Sequence, residues 1–236
     1  MHKSVMILTG LRRGGTHAVA NWIRGCWDEP STVIHCPLDF SERTMAQINY
    51  AREFPHVVIM CENMGLDEYQ TIRDRFLSTC LDFKDVPWTE VMVIRDFRNQ
   101  LASFTKKAQE RPDAPVWQVD IAALWEPFAK EACAKKIVQN HILFDKWFSS
   151  KAYRRSCAKK LGLTFSDTGL NEVTPHGGGS SFDGCDFDGK GQEMDVLNRY
   201  KLFEKNKKFQ AVMDVMMPLN ERVCKSFNYE YKTDAN

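Results

Sequence analysis

Two short stretches of the chain carry residues able to hold an anion. The first is Thr9-Gly10-Leu11-Arg12-Arg13-Gly14-Gly15-Thr16, which joins the apolar run VMILT (residues 5–9) to a segment (residues 16–27) whose apolar residues recur at helical spacing. Strand, glycine-bearing turn and helix, in that order, direct free backbone N–H groups and the positive end of a helix dipole at whatever sits in the turn. Gly14 and Gly15 let the backbone approach anionic oxygens closely, and Thr16 can cap the helix and donate its hydroxyl. Arg13, with Arg12 beside it, adds a permanent charge and a fork of donors. An ordinary tight turn with surface arginines is the alternative for this loop taken alone.

The second stretch is VMVIRDFRNQLASF, in which Arg95 closes an apolar run and Ser103 follows two helical turns later. An arginine at the C-terminal end of a parallel strand lies where open α/β sheets bind ligands, and a serine on the next helix can face the same group. Taken singly, a salt-bridged arginine and a solvent-facing serine are the ordinary reading. A magnesium-dependent kinase or nucleotide triphosphatase is disfavoured. Its loop needs Lys-Ser or Lys-Thr where this chain has Gly15-Thr16, and the run VVIMC (residues 57–61) ends in Glu62 rather than an aspartate.

RRGGTHA resembles the 5′-phosphosulfate loop of sulfotransferases that use 3′-phosphoadenosine 5′-phosphosulfate (PAPS), in the Gly-Gly version found in glycosaminoglycan sulfotransferases. Arg13 falls on the Lys/Arg position of that motif, Gly14 on the Ser/Gly position and Thr16 on the first threonine, while His17 replaces the second threonine or arginine. VMVIRDFRNQLASF is similar to the family's 3′-phosphate segment, with Arg95 and Ser103 matching in type and spacing and Asp96-Phe97 departing from the usual pair. The resemblance implies PAPS as donor, 3′-phosphoadenosine 5′-phosphate (PAP) as product, in-line sulfuryl transfer and no metal. It places Arg12, Arg13, Gly14, Gly15, Thr16 and His17 around the 5′ group, and Arg95 and Ser103 on the 3′-phosphate.

Family members use histidine or glutamate as general base, which makes Glu62, His35 and His17 the candidates beside the cation Arg13. Glu62 comes first, because a carboxylate at the C-terminal edge of a buried strand stands where its pKa could be raised. Its alternative is a structural ion pair with Arg12 or Arg95, and His35 could equally be a satisfied core histidine. The family also folds a late glycine-containing basic segment over the nucleotide. No Arg-Lys-Gly occurs here, but His176-Gly177-Gly178-Gly179-Ser180-Ser181 stands in a comparable position. Gly178, Gly179, Ser180 and Ser181 can form an anion-binding nest of N–H groups, or simply connect two elements. Asp183, Asp186 and Asp188 miss the calcium-loop spacing and read as a solvated acidic turn.

These residues must be positioned by the elements around them. Apolar runs at residues 5–9, 32–35, 57–61 and 90–94 alternate with helical patterns near 16–27, 41–52 and 67–79, and with a last one that follows the fourth run and continues through Lys107. None of the runs alternates with polar residues, so each reads as a strand buried on both faces. The expected fold is α/β: a three-layer sandwich around a parallel sheet of about five strands, in a single domain over residues 1–236. A long helix is expected over 116–137, then a strand at HILF and a helix through SKAYRRSCAKKLG. Two final helices, broken or kinked at Pro218, are expected after the loop at 171–192. The tryptophans read mainly as core, with some left to line an acceptor cleft.

The totals narrow the partners. With 32 Lys and Arg against 31 Asp and Glu in 236 residues, nothing favours nucleic acid or an anionic membrane, and any anion site must be local. The lack of basic excess favours a small alcohol, phenol, amine or short sugar as acceptor over a polyanionic glycan. The eight cysteines never form a C-x-x-C pair, and the opening MHKSVMILTG lacks the pattern of a secretory signal, so a cytoplasmic protein, monomer or homodimer, is expected. The rival functions are a small-molecule kinase of related architecture and a non-catalytic module that binds PAP.

Overall fold

Short apolar runs flanked by turn residues become the strands of one parallel sheet. The computed structural model describes residues 2–35, 41–62, 64–80, 83, 85–175 and 179–230. Among them are β1 (Ser4–Gly10), β2 (Ser31–His35), β3 (His56–Glu62), β4 (Trp88–Ile94) and β5 (Asn140–Leu143), in the spatial order β2-β3-β1-β4-β5. Every pairing is parallel, and the register sets Gly10 of β1 opposite both Glu62 of β3 and Val93 of β4. The C-terminal ends of these strands therefore finish along one edge, where the loops carrying Arg13, Glu62 and Arg95 begin.

The pleat divides the core in two. Met6, Leu8, Val58, Met60, Val91, Val93 and Ile142 face α1 (Thr16–Gly25), α6 (Phe144–Ser149) and α7 (Lys151–Lys160). Val5, Ile7, Ile34, Val57, Ile59, Met92 and Ile94 face α2 (Glu42–Ala51), α3 (Leu66–Thr79), α4 (Phe97–Glu110), α5 (Ile121–Ala134) and α8 (Lys207–Ser226). This is the expected three-layer α/β architecture. Adjacent strands β1 and β4 send their chains to opposite layers, into α1 and α4. The crevice between two such diverging connections is where open α/β sheets take ligands.

Local chemistry moves several element boundaries away from the sequence reading. The long helix expected over 116–137 begins only at Ile121, because the Asp120 carboxylate accepts the Ala122 and Ala123 N–H groups and sets the N-cap there. Pro115–Trp117 forms a separate 3₁₀ turn. Pro218 does not break the last helix. Met213, Met216, Asn220 and Val223 are buried on both sides of it, so packing carries α8 through the missing N–H and one helix stands where two were expected, preceded by a 3₁₀ turn at Arg199–Phe203. α7 stops as expected at Gly162, whose φ of 69° permits the closing bond from Leu163 N–H to Ala158 C=O.

The described cysteines are free thiols, with Cys133 and Cys185 exposed and the others buried. Among the described residues no helix is long and apolar enough to cross a membrane.

Candidate functional site

The turn after β1 is built to bring backbone close to a ligand. Gly14 N–H closes it on Leu11 C=O at 3.0 Å, and Arg13 and Gly15 both take left-handed conformations, with φ of 61° and 90°. A Cβ on Gly15 would stand 2.1 Å from the Phe144 ring, so glycine is required there by conformation and by space together. Gly15, not Thr16, is the N-cap of α1, since Thr16 is already helical; its buried hydroxyl makes no well-formed hydrogen bond. The carbonyls of this turn are taken from the far side: Gln100 Nε2 donates to Arg12 C=O at 2.9 Å and Arg95 Nη1 donates to Arg13 C=O at 3.0 Å.

Arg95 is held at the end of β4 by a buried polar frame. The Asp96 side chain caps α4 by accepting Arg98 N–H, Asp145 accepts Asp96 N–H at 2.7 Å, and Trp125 Nε1 donates to Arg95 C=O at 3.3 Å. The Arg95 guanidinium donates to Ser103 Oγ at 3.2 Å and to Val196 C=O, and lies 5.1 Å from the Phe144 ring centre. Its Nε is buried without a partner.

A third arginine completes the cluster, and sequence reasoning missed it. Arg199, on the 3₁₀ turn before α8, is 6% exposed and donates to Ser180 Oγ at 2.7 Å, Asp183 Oδ2 at 2.9 Å and Ser103 Oγ at 3.5 Å. Ser103 therefore lies fully buried between the guanidiniums of Arg95 and Arg199, supporting both, rather than opening into the cavity as expected. Burial, and next the charge of Arg95, push Arg13 down to about 10 and Arg199 down to about 9. Burial also lowers Arg95, against the raising influence of Asp145 and Asp96.

The late loop differs from the expected nest. His176, Gly177 and Gly178 lie outside the described residues. Gly179, at φ 67°, turns its carbonyl to Arg13 Nη2 at 2.8 Å. Ser180 N–H is spent on Gly184 C=O, and the Ser180 hydroxyl accepts from Phe182 and Asp183 N–H, so these donors serve the loop itself. Gly179 and Ser180 line the cavity, while Ser181 is 2% exposed and stands away from it. Asp183 is not a solvated acid but the carboxylate partner of Arg199.

All of this surrounds a cavity of about 570 Å³. Arg12, Arg13, Arg95 and Arg199 line it together with Phe144 and Trp117, and Arg12 lies 5.6 Å from the Trp117 ring centre. The three candidate bases line it too. His17 Nε2 is 3.6 Å from Glu62 Oε2, and the His17 and His35 rings stack with centres 5.4 Å apart. The expected raised pKa of Glu62 is corrected here. Burial does push it up, but the hydrogen bond and charge of His17, then the Thr16 hydroxyl and the Arg13 charge, hold it below the ordinary carboxylate range. Among the described residues it pairs with His17. Among the described residues no group of three or more His, Cys, Asp or Glu could hold a metal ion.

No protein-family model matches the chain, and no curated protein matches it in sequence. Among solved structures it is similar to mouse sulfotransferase SULT7A1 complexed with PAP, at 11% identity and a TM-score of 0.52 over 95% of this chain and 88% of that one. It is also similar to the sulfotransferase domain of the Synechococcus PCC 7002 olefin synthase, at 10% identity and a TM-score of 0.46 over 98% of this chain and 96% of that one. The first likeness runs through nearly the whole of both chains, with the parallel sheet at its centre: the chain has a sulfotransferase fold.

Proposed function

We propose that the protein is a PAPS-dependent sulfotransferase. It moves the sulfuryl group to a hydroxyl or amine of a small-molecule or short-sugar acceptor by in-line displacement and leaves PAP. The observation that carries this reading is the convergence of Arg13, Arg95 and Arg199, from three separate elements, on one cavity where burial lowers all three pKa values and repulsion from neighbouring guanidiniums lowers those of Arg13 and Arg199 further. Such a cluster favours a polyanion of matching shape. The buried Arg95 Nε, which has no partner among the described residues, fits a phosphate oxygen as donor. The loop's Gly14-Gly15-Thr16 in place of a lysine-bearing sequence, and the PAP bound by the mouse neighbour, favour a phosphosulfate donor over a nucleoside triphosphate. The free thiols agree with a cytoplasmic setting.

In this reading the turn amides, Arg13 and Thr16 hold the 5′-phosphosulfate, and Arg95 and Arg199, steadied by Ser103, hold the 3′-phosphate. The acceptor's oxygen or nitrogen forms the new bond to sulfur as the bond from sulfur to the 5′-phosphate oxygen breaks. Arg13 and the amides meet the charge that builds on that leaving oxygen. The acceptor's proton passes to His17, oriented by the carboxylate of Glu62; a carboxylate held at low pKa is a weak base but a good partner for an imidazole.

Calorimetry with PAP, ATP and GTP in the absence of magnesium tests the reading, together with transfer of labelled sulfate from PAPS to pooled acceptors. Tight binding of PAP, none of the triphosphates, and labelled product are expected. Preference for a triphosphate would overturn the assignment.

A further inference from the structure

Beside the main cavity lies a second, polar pocket of about 200 Å³. It shares His17, Asn21, His35 and Thr174 with the main cavity and adds Arg24 and Thr32. His17, Asn21 and Arg24 stand at positions i, i+4 and i+7 of α1, so one helical face forms a continuous wall from the proposed base to the arginine. Two turns of helix separate the Cα atoms of His17 and Arg24 by about 10 Å. The Arg24 guanidinium is bonded to Ser31, which starts β2, while His17 stacks on His35, which ends that strand, so the two groups stand at opposite ends of the pocket.

The charge at the far end of this pocket is unbalanced. No carboxylate occurs among the described residues that line it, and Arg24 is its one permanent cation among them. Among the described residues Arg24 is held by neutral groups: its Nε donates to Ser31 Oγ at 3.4 Å and its Nη2 to Ser31 C=O at 3.5 Å, both long bonds that orient the guanidinium without neutralising it. A structural role for Arg24, facing the C-terminal end of its own helix dipole, accounts for its place on α1 but not for a polar pocket opening onto the reaction centre.

We infer that this pocket is the acceptor subsite and that the acceptor is a small polar molecule bearing one anionic group, a carboxylate or a phosphate, which Arg24 binds. The acceptor's hydroxyl or amine is then presented to His17 within about 10 Å of that anion, the two-turn span of the helix wall. The pocket holds roughly six or seven waters' worth of volume at about 30 Å³ each, which matches a sugar acid, a small hydroxy acid or a sugar phosphate rather than a polymer. A single arginine in a small pocket accounts for one anionic group, in keeping with the near-neutral balance of 32 Lys and Arg against 31 Asp and Glu. The inference rests on the sulfotransferase reading and specifies its acceptor.

The test uses three matched pairs: glucuronate and glucose, glycerol 3-phosphate and glycerol, and 4-hydroxyphenylacetate and its methyl ester. Each is titrated calorimetrically into the full chain saturated with PAP, then into Arg24→Gln, whose folding is checked by thermal unfolding. At least one acid is expected to bind about tenfold or more tightly than its neutral partner, as for a hydrogen-bonded charged group. Arg24→Gln should bring that acid down to the neutral member's affinity while PAP affinity stays unchanged. Equal binding within every pair, binding of no acid, or a preference that survives Arg24→Gln overturns the acceptor inference and leaves the donor reading standing. Failure of the wild-type chain to bind PAP at all overturns both.

Discussion

Arg95 Nη1 donates to the main-chain carbonyl of Arg13 at 3.0 Å, so the residue that closes β4 braces the turn that follows β1. Neighbouring strands of a parallel sheet thus fix the spacing between two cationic ends of one cavity. Arg13 is kept in its left-handed conformation by a bond that also fixes the orientation of Arg95.

Gly15 is expected to tolerate nothing larger. Gly15→Ala combines a φ of 90° with a Cβ placed 2.1 Å from Phe144, so the turn must shift. Urea unfolding should show a loss of about 1–3 kcal/mol, with PAP affinity lost alongside it. A variant of unchanged stability and affinity would show that the turn does not depend on this packing.

Asp183 and Arg199 should act in opposite directions. The Asp183 carboxylate already partners Arg199 at 2.9 Å, so it competes with any phosphate for that guanidinium. Arg199→Ala is expected to weaken PAP about tenfold to a hundredfold, the range for a charged hydrogen bond. Asp183→Asn should tighten PAP, measured by the same titration. Weakening by both substitutions would mean that Asp183 serves chiefly to hold the loop.

The roles of His17 and Glu62 separate in a pH–rate profile. Glu62, held below its ordinary pKa, stays ionised throughout the neutral range and cannot produce a limb there. An acid limb between about pH 5 and 8 would report an imidazole. That limb should vanish in His17→Ala, with kcat reduced by about a hundredfold to ten-thousandfold. It should persist in Glu62→Gln, while KM for PAPS changes little. Loss of the limb in Glu62→Gln alone would restore Glu62 as the base.

Asp145 gives a pH dependence of stability. Burial, and then the nearby Asp96 charge, push its pKa up to about 6 from 3.8. A carboxyl with a raised folded-state pKa contributes stability that is present below the unfolded value and is lost as pH rises through the folded one. This contribution should therefore fall between about pH 4 and pH 6. Asp145→Asn, which keeps an oxygen to accept Asp96 N–H, should flatten that part of a urea-unfolding series. An unchanged slope would assign the dependence to another group.

Much of the framework was legible because it rests on local signals. Unbroken apolar runs mark β1, β3 and β4, the paired glycines mark the first turn, and Gly162 marks the end of α7. What was not legible is tertiary. Arg199 sits on a 3₁₀ turn with no periodic signal, and it reaches the cavity only because Ser103 and Ser180 converge on it from distant segments. Phe144 was read as strand, yet it begins α6 and packs against Gly15. Burial alone raises the pKa of Glu62; what reverses it is His17, a sequence-distant partner brought beside it by the β1–β3 pairing.

In the proposed reaction the turn after β1 and the arginine that follows β4 bind opposite ends of one bisphosphorylated adenosine. The most direct measurement is calorimetric titration of PAP and of adenosine 5′-phosphate into the wild-type protein and Arg95→Gln. Arg95→Gln should lose about tenfold to a hundredfold in affinity for PAP and change little for adenosine 5′-phosphate, which lacks the 3′ group. Equal losses for the two nucleotides would contradict that placement.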